Sequence, residues 1–220
     1  MHITFEEISK NETIRTYIKK ADESLIALGY TEHSFPHVTR VAATARMILE
    51  KLGYSDRDAE LAAIAGYMHD IGNVINRIDH AQSGAVMAFR ILDHLHCETE
   101  EIATIITAIG NHDESTAFPV NPVAAALIIA DKCDVRYTRV RDKSTVGFDI
   151  HDRVNYAVKK SKVIVDGEKK IICLDLTIDT SVCNVMEYFE IFIGRMLLCQ
   201  KAAAKLDTTF SLMINNQQVM

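Results

Sequence analysis

Several features that define whole classes of protein are scarce in this chain. Its 220 residues include only 3 prolines and 9 glycines, while 48% are hydrophobic. This composition argues against intrinsic disorder, because enough apolar surface is available to form a packed core. The longest apolar runs, 62–68 and 123–130, fall far short of the roughly 18 residues that a membrane span needs. We therefore expect a globular protein with no membrane association.

The cysteine pattern, the first residues and the net charge argue against three further classes: disulfide or zinc scaffolds, secreted proteins and general nucleic-acid binders. The five cysteines form no C-x-x-C pair, so we expect reduced thiols, with neither a disulfide framework nor a zinc scaffold. The first twelve residues lack the basic-then-apolar pattern of a secretory signal, which predicts a cytoplasmic location. The net charge of −6 argues against a general nucleic-acid binder. No stable nucleic-acid complex is expected, although a local basic pocket is compatible with this charge.

Apolar residues recur at helical spacing through the first 140 residues, and capping residues divide this region. We predict six helices, which extend from Ser9 or Asn11 to Gly29, from Ser34 to Gly53, from Ser55 to Ile71, and over about 81–96, 99–110 and 122–140. Their connections are short. The region is therefore expected to form an α-helical bundle.

The hydrophobic period changes near residue 160. Val163 and Val165 precede an Asp166-Gly167 turn dipeptide, and apolar residues alternate again over 172–178. This pattern is typical of a β-hairpin. A long helix with a wide apolar stripe is predicted over about 181–205, and the segment 209–214 could add a strand.

These patterns predict a mainly α fold with a small C-terminal α+β unit built from the hairpin and the long helix. The expected organisation is a helical domain over 1–140, a connecting segment over 141–158 and the α+β unit over 159–220. The apolar stripe of the long helix is too broad for a small hairpin to cover. We therefore hypothesise that the C-terminal unit pairs with a second copy in a homodimer.

Histidine and aspartate are the residues that carry candidate chemistry. His-Asp occurs three times, at residues 69, 112 and 151, so the dipeptide alone is weak evidence. His69-Asp70, however, ends an apolar helix, where burial of both side chains is costly unless a cation pairs with them. Asp131 directly follows eight apolar residues and needs a partner for the same reason.

Other histidines occupy comparable places at helix ends. His37 falls in the first turn of a predicted helix, His80 just before one, and His112 just after one. Together with His69, Asp70 and Asp131 they form a mixed nitrogen and oxygen set, which suits Fe, Mn, Zn, Ni or Co. Four ligands could hold one metal ion, and six would suit two ions that share a bridging carboxylate.

The order of these residues resembles the HD-domain superfamily of metal-dependent phosphohydrolases. The family pattern H…HD…D matches His37, His69-Asp70 and Asp131, the last within "IIADKCD". The stretches "HDIGNVINRIDHAQSGA" and "AIGNHDE" are most similar to subfamilies with two extra histidines, such as bacterial symmetric diadenosine tetraphosphate hydrolases. The resemblance covers roughly residues 33–140 and leaves the C-terminal part unassigned.

The resemblance implies a role for each matching residue. It makes His37, His69, Asp70 and Asp131 the core metal ligands, with His69 and Asp70 at the catalytic centre. His80 and His112 would complete a second site, and Asp70 would bridge two ions. Iron is the metal expected if two ions bind, with Mn, Ni, Co, Zn and Mg as alternatives. Many relatives have Lys after His-Asp-x-Gly, whereas this chain has Asn73.

The expected reaction is hydrolysis of a phosphoester or phosphoanhydride, most simply of a nucleotide. Divalent ions lower the pKa of bound water and offset charge on the phosphoryl oxygens. The remaining charge requires donors, for which the candidates are Arg40, Lys132, Arg136 and Arg139. Positions 133–170 hold ten Lys and Arg against six acids, which would steer a phosphorylated substrate. His33 and His151-Asp152 are expected to face solvent.

Two alternatives remain open at this stage. A few proteins of the same superfamily use a di-iron centre to oxygenate a C–H bond. A non-catalytic sensor could instead bind a nucleotide and transmit its state through the C-terminal unit. The intact ligand set argues against the sensor, because a pure binding module does not need every metal-activating residue.

Overall fold

The chain folds into a succession of helices followed by a small sheet. The computed structural model describes residues 2–147 and 149–220. Within these ranges the α-helices are α1 (Phe5–Lys10), α2 (Glu12–Ala27), α3 (Phe35–Lys51), α4 (Asp56–Met68), α5 (His80–His94), α6 (Thr99–Gly110), α7 (Pro122–Lys132), α8 (Ile150–Ala157) and α9 (Val185–Lys205). The strands are β1 (Val158–Asp166), β2 (Ile171–Ile178), β3 (Thr209–Ile214) and β4 (Gln217–Gln218). The predicted fold class, mainly α with a C-terminal hairpin and long helix, is confirmed.

Helix α4 lies at the centre of the helical part. Every residue from Leu61 to Met68 is buried, which explains why its apolar residues do not form a single stripe. Helix α3 packs closely against it, since a Cβ on Gly66 would lie only 2.9 Å from the Cα of Ala42. Only a glycine permits this approach. The end of α4 is therefore buried and packed tightly against α3.

The prediction of one helix over 122–140 is wrong at its C-terminal end. Helix α7 stops at Lys132, and residues 137–139 form a short 3-10 turn. The break allows the Asp134 carboxylate to accept a hydrogen bond from the Nδ1–H of His37 at 2.7 Å. A buried tertiary contact thus overrides local helix propensity. Helices α1 and α8 were not predicted, and α8 lies within the expected connecting segment.

The four strands form one sheet in the order β1-β2-β3-β4. The predicted hairpin is confirmed: β1 and β2 pair antiparallel from Val158 opposite Ile178 to Asp166 opposite Ile171. Strand β3, also predicted, pairs with β2 in parallel. Parallel neighbours require a crossover connection, and α9 supplies it. The alternating apolar residues of β2 and β3 are buried.

One hydrophobic core extends from the helices to the sheet. It includes buried side chains of α3, α4 and α7 together with those of α9, β2 and β3. The division of the chain into a helical domain over 1–140 and an α+β unit over 159–220 therefore stays a prediction. Among the described residues, no helix combines the length and apolar character needed to cross a bilayer.

Candidate metal centre

The predicted ligands lie at the ends of five helices that point to a common centre. The contributing residues are His37 from the first turn of α3, His69 and Asp70 from the end of α4, His80 from the start of α5, His112 from just beyond α6 and Asp131 from the last turn of α7. Asp79, in the left-handed conformation with φ of 56°, turns the chain directly before α5. A Cβ on Gly72 would meet the His80 carbonyl oxygen at 2.0 Å, so glycine allows the start of α5 to approach the end of α4.

One half of the centre contains two histidines and two carboxylates. The Oδ2 atom of Asp70 lies 3.2 Å from Nε2 of His69 and 3.7 Å from Nε2 of His37. The Oδ1 atom of Asp131 lies 3.4 Å from Nε2 of His37 and 3.7 Å from Nε2 of His69. His37, His69 and Asp70 each place a ligand atom within 4.8 Å of the others, and Asp131 forms a further such group with His69 and His112.

The other half uses the second oxygen of Asp70. Its Oδ1 atom lies 3.5 Å from Nε2 of His80 and 3.9 Å from Nε2 of His112. The two histidine Nε2 atoms are 3.2 Å apart. Asp70 therefore presents one oxygen to each histidine pair, which is the arrangement that a bridging carboxylate requires.

All four histidines are oriented through Nδ1. The acceptors are the Asp134 carboxylate for His37 at 2.7 Å, and the backbone carbonyls of Gly66 for His69 at 2.8 Å, Arg77 for His80 at 3.0 Å and Ile109 for His112 at 2.6 Å. When Nδ1 carries the proton, the lone pair is on Nε2. Such contacts fix the tautomer and orientation of metal-binding imidazoles. Each Nε2 faces the centre as a ligand atom.

Three atoms at the centre lack hydrogen-bond partners although they are buried. They are Nε2 of His37, Nε2 of His69 and Oδ2 of Asp70. Buried polar atoms are nearly always paired, because an unpaired one loses its interactions with water. A cation at this point would contact all three, and nitrogen plus carboxylate oxygen suits a transition metal. The residues present thus fit a metal ion.

The electrostatics of the cluster favour a bound cation. Burial raises the pKa of Asp70, but His69 outweighs it and holds that pKa well below its usual value. For Asp131 burial is likewise outweighed, chiefly by Lys132, and the pKa is lowered. Burial, with His69 and Lys132, lowers the pKa of His112 to about 3. The carboxylates are therefore ionised and His112 is neutral, which are the forms that bind metals.

Asp134 is a site residue that sequence reasoning missed. It is buried, and it accepts hydrogen bonds from His37 and from Nε of Arg136 at 2.8 Å. Its Oδ1 also lies 3.1 Å from Nε of Arg40. Arg40 and Arg136, which we predicted to contact phosphate, instead lie against this carboxylate. Its position three residues after Asp131, within "ADKCD", was the available signal.

A cavity of about 370 Å³ opens onto the centre. Asp70, His80, His112 and Asp131 form part of its lining. Four arginines and lysines also line it, namely Arg77, Lys132, Arg139 and Arg195. Of the predicted phosphate contacts, the structure therefore brings Lys132 and Arg139 to the cavity. Arg77 and Arg195 were not predicted, although Arg77 lies within the quoted stretch "HDIGNVINRIDHAQSGA", three residues before His80.

Part of the remaining wall comes from the loop after α2 and from the expected connecting segment over 141–158. His33 lines the cavity and contacts the ring of His37 edge-on, with ring centroids 5.4 Å apart. His151, Asp152 and Asn155 of α8 also line it. His33 and Asp152 are half-buried, so the expectation that they face bulk solvent is wrong, whereas His151 is exposed as expected, although it also lines the cavity. Their position depends on how α8 and the loop after α2 pack, which no local pattern reveals.

The part of the chain that carries the predicted ligands is similar to a known protein family. Residues 34–136 match the family model described as HD domain. All six predicted metal ligands lie inside this segment, which spans less than half of the chain. The α8 and α9 residues of the cavity wall lie outside it.

Two individual proteins are similar over longer stretches. An uncharacterized protein of Methanocaldococcus jannaschii, MJ1020, is 24% identical over 197 residues, which cover 78% of this chain and 74% of that protein. A crystal structure of a predicted HD superfamily hydrolase from an uncultured Thermotogales bacterium is 23% identical with a TM-score of 0.44, covering 56% of this chain and 67% of that one.

Proposed function

We propose that this protein is a cytoplasmic, metal-dependent phosphohydrolase that cleaves a phosphoester or phosphoanhydride bond of a small nucleotide. The HD-domain match and the His/Asp cluster together support a metal-dependent hydrolase. The observation that carries the proposal is the trio of buried, unpartnered atoms on His37, His69 and Asp70. They face one another in a position that a divalent cation would satisfy.

The proposal divides the ligands between two ions. His37, His69, Asp70 and Asp131 would hold the first, while His80 and His112 with Oδ1 of Asp70 would hold the second. Bound divalent ions polarise phosphoryl oxygens and lower the pKa of a coordinated water towards neutrality. Iron remains our expectation if both sites are filled.

The protein contributes charge and position around these ligands. Lys132 donates to Oδ2 of Asp131 at 2.6 Å, so its ammonium group stands at the edge of the centre. Arg139 is buried and held by the carbonyl oxygens of Glu32 and Asp134 at 2.9 Å. Both cations would offset charge on a phosphoryl group in the cavity.

The rest of the cavity is consistent with a nucleoside group. Its volume is at the low end of the range of about 300–1,000 Å³ that small-molecule sites occupy. Tyr30, which is exposed, provides aromatic surface for a base, whereas Asp152 and Asn155 provide polar groups for sugar hydroxyls. A single nucleotide therefore suits the cavity better than a polymer.

The test combines metal analysis with phosphate release. Purified protein is assayed for bound metal and for hydrolysis of nucleoside mono-, di- and triphosphates and of diadenosine tetraphosphate. His69→Ala and Asp70→Ala should lose both metal and turnover, whereas His94→Ala, which changes an exposed histidine of α5, should retain both. Full metal content and turnover in Asp70→Ala would refute the mechanism.

The same assays distinguish the two ligand groups and the alternative functions. His80→Ala should lose the second ion preferentially, and equal loss of both ions would show that our division of ligands is wrong. Oxygen consumption without phosphate release would indicate a di-iron oxygenase. Tight nucleotide binding without turnover under any metal would indicate a sensor.

A further inference from the structure

Two of the four arginines and lysines that line the cavity, Arg77 and Arg139, have no carboxylate partner among the described residues. Lys132 is paired with Asp131 at 2.6 Å, and Arg195 with Glu114 at 2.9 Å. Arg139 is held by two backbone carbonyls. Within the described part of the chain, the Arg77 guanidinium has no carboxylate within 4.0 Å, and its contacts are neutral. It is thus a positive charge in the cavity that a bound anion could balance.

The guanidinium of Arg77 is nevertheless held in a defined place. Nη1 lies 3.3 Å from Oδ1 of Asn73, to which it donates, and 3.3 Å from Nε2 of His80. The guanidinium carbon lies over the ring of Tyr30, 5.4 Å from its centroid. Asn73 in turn donates to Oδ1 of Asp70 at 2.9 Å. These contacts place Arg77 at the end of the metal centre formed by His80 and Asp70.

The contact with His80 involves the atom that would bind the second ion. Nδ1 of His80 donates to the Arg77 carbonyl, so the lone pair is on Nε2, where it accepts from the guanidinium. A metal ion cannot share that lone pair with Arg77, and the two positive charges repel each other. If an ion bound His80, Nη1 would lose this acceptor and keep only Oδ1 of Asn73, so the guanidinium could donate to an anion nearby.

We propose that Arg77 is a substrate-binding residue that holds a phosphoryl group at the His80 end of the metal centre; this inference rests on the proposed function. A guanidinium offers a planar pair of donors that matches two oxygens of a phosphate. A phosphoryl group would supply the acceptor that His80 no longer offers once it binds an ion. Tyr30 and Asn73 keep the guanidinium within reach of both positions.

Substitution of the side chain tests this inference cleanly. The Arg77 carbonyl that orients His80 belongs to the backbone and persists in any variant. We would load wild type, Arg77→Gln and Arg77→Lys with Mn²⁺ and titrate inorganic phosphate by calorimetry, measuring manganese content in parallel. Arg90→Gln, which changes an exposed arginine of α5, is the matched control.

The expected result is weaker phosphate binding without loss of metal. Arg77→Gln should reduce phosphate affinity roughly ten- to a hundredfold, the loss typical of a charge-assisted hydrogen bond, and Arg77→Lys should fall between it and wild type. Manganese affinity should stay equal or increase, because a positive charge near His80 has been removed. Arg90→Gln should match wild type in both respects.

Other outcomes separate this inference from the proposed function. Unchanged phosphate affinity in Arg77→Gln, with wild type binding phosphate and hydrolysing nucleotides, would overturn the role of Arg77 alone. Phosphate binding through Arg77 without hydrolysis of any nucleotide would support Arg77 and refute the proposed function. A wild-type protein that binds no phosphate would overturn both.

Discussion

The imidazole of His37 illustrates how one buried carboxylate prepares a ligand. Asp134 accepts the Nδ1–H of His37 at 2.7 Å and is itself held by Arg136 and Arg40. Burial by itself would raise the pKa of Asp134, but the hydrogen bond with His37 and the charge of Arg139 lower that pKa by more than burial raises it. The net shift is downward, so the carboxylate is ionised. An ionised acceptor increases the basicity of the imidazole and hence its strength as a ligand.

The contribution of this carboxylate can be measured directly. Asp134→Asn should retain the fold but lower metal affinity about 10- to 100-fold, the usual effect of changing a hydrogen-bond partner of a ligand. Competition with a chelating dye reports the affinity. Asp93→Asn, on the exposed side of α5, serves as control. Equal affinity in Asp134→Asn and wild type would contradict the role given to Asp134.

At the scale of the elements, the centre depends on how closely helix ends approach. A Cβ on Gly72 would lie 2.0 Å from the His80 carbonyl oxygen and 2.5 Å from the Gly84 nitrogen. Both atoms belong to the backbone of α5, which cannot move aside like a flexible side chain. Gly66 makes a similar approach between α3 and α4. These two glycines therefore set the spacing of the helices that carry His37, His69 and His80.

Substitution of these glycines should be costly. Gly66→Ala is expected to destabilise the protein by about 1–3 kcal/mol, because the added methyl group forces packed helices apart. Gly72→Ala, with its shorter contacts, should cost at least as much. Urea unfolding measures both. Gly147→Ala is the control, since a Cβ there meets nothing within 4 Å; wild-type stability in Gly66→Ala would contradict the close helix contact.

For the whole molecule, the buried histidines predict a dependence of stability on pH when no metal is bound. Burial lowers the pKa of His112 from 6.5 to about 3, so the unfolded chain takes up a proton in this range and the folded chain does not. Stability from His112 is therefore lost as the pH falls from about 6.5 towards 3. Burial likewise lowers the pKa of His80, which acts in the same direction.

His69 opposes this trend. Burial lowers its pKa, but Asp70 and Asp131 raise it more, and the net shift is upward. Its contribution is present at low pH and is lost as the pH rises through the folded pKa. We expect the chelator-treated protein to be less stable at pH 5 than at pH 7.5, with a smaller difference in His112→Gln than in His94→Gln. The same slope in both variants would contradict this assignment.

Exposed apolar residues on the outer face of α9 are relevant to the predicted homodimer. Met186, Ile193 and Leu197 are 73%, 41% and 47% exposed, and their spacing places them on one side of the helix. The homodimer stays a prediction, and light scattering at micromolar concentration tests it. A dimer that Leu197→Glu dissociates would support pairing through α9, whereas a monomeric wild type would exclude it.

The sequence by itself determined the elements and the identity of the candidate ligands. Apolar periodicity and capping residues predicted α2 to α6 and the hairpin, because these signals act between residues close in the chain. His69-Asp70 and Asp131 were recognisable because burying such groups without a cation is costly, and His37 because it falls in the first turn of a predicted helix and matches the H…HD…D pattern that the chain resembles. Only the tertiary structure decided which other residues face the centre. Asp134 and α8 reach it through contacts between residues far apart in sequence, and such contacts depend on packing, not on local pattern.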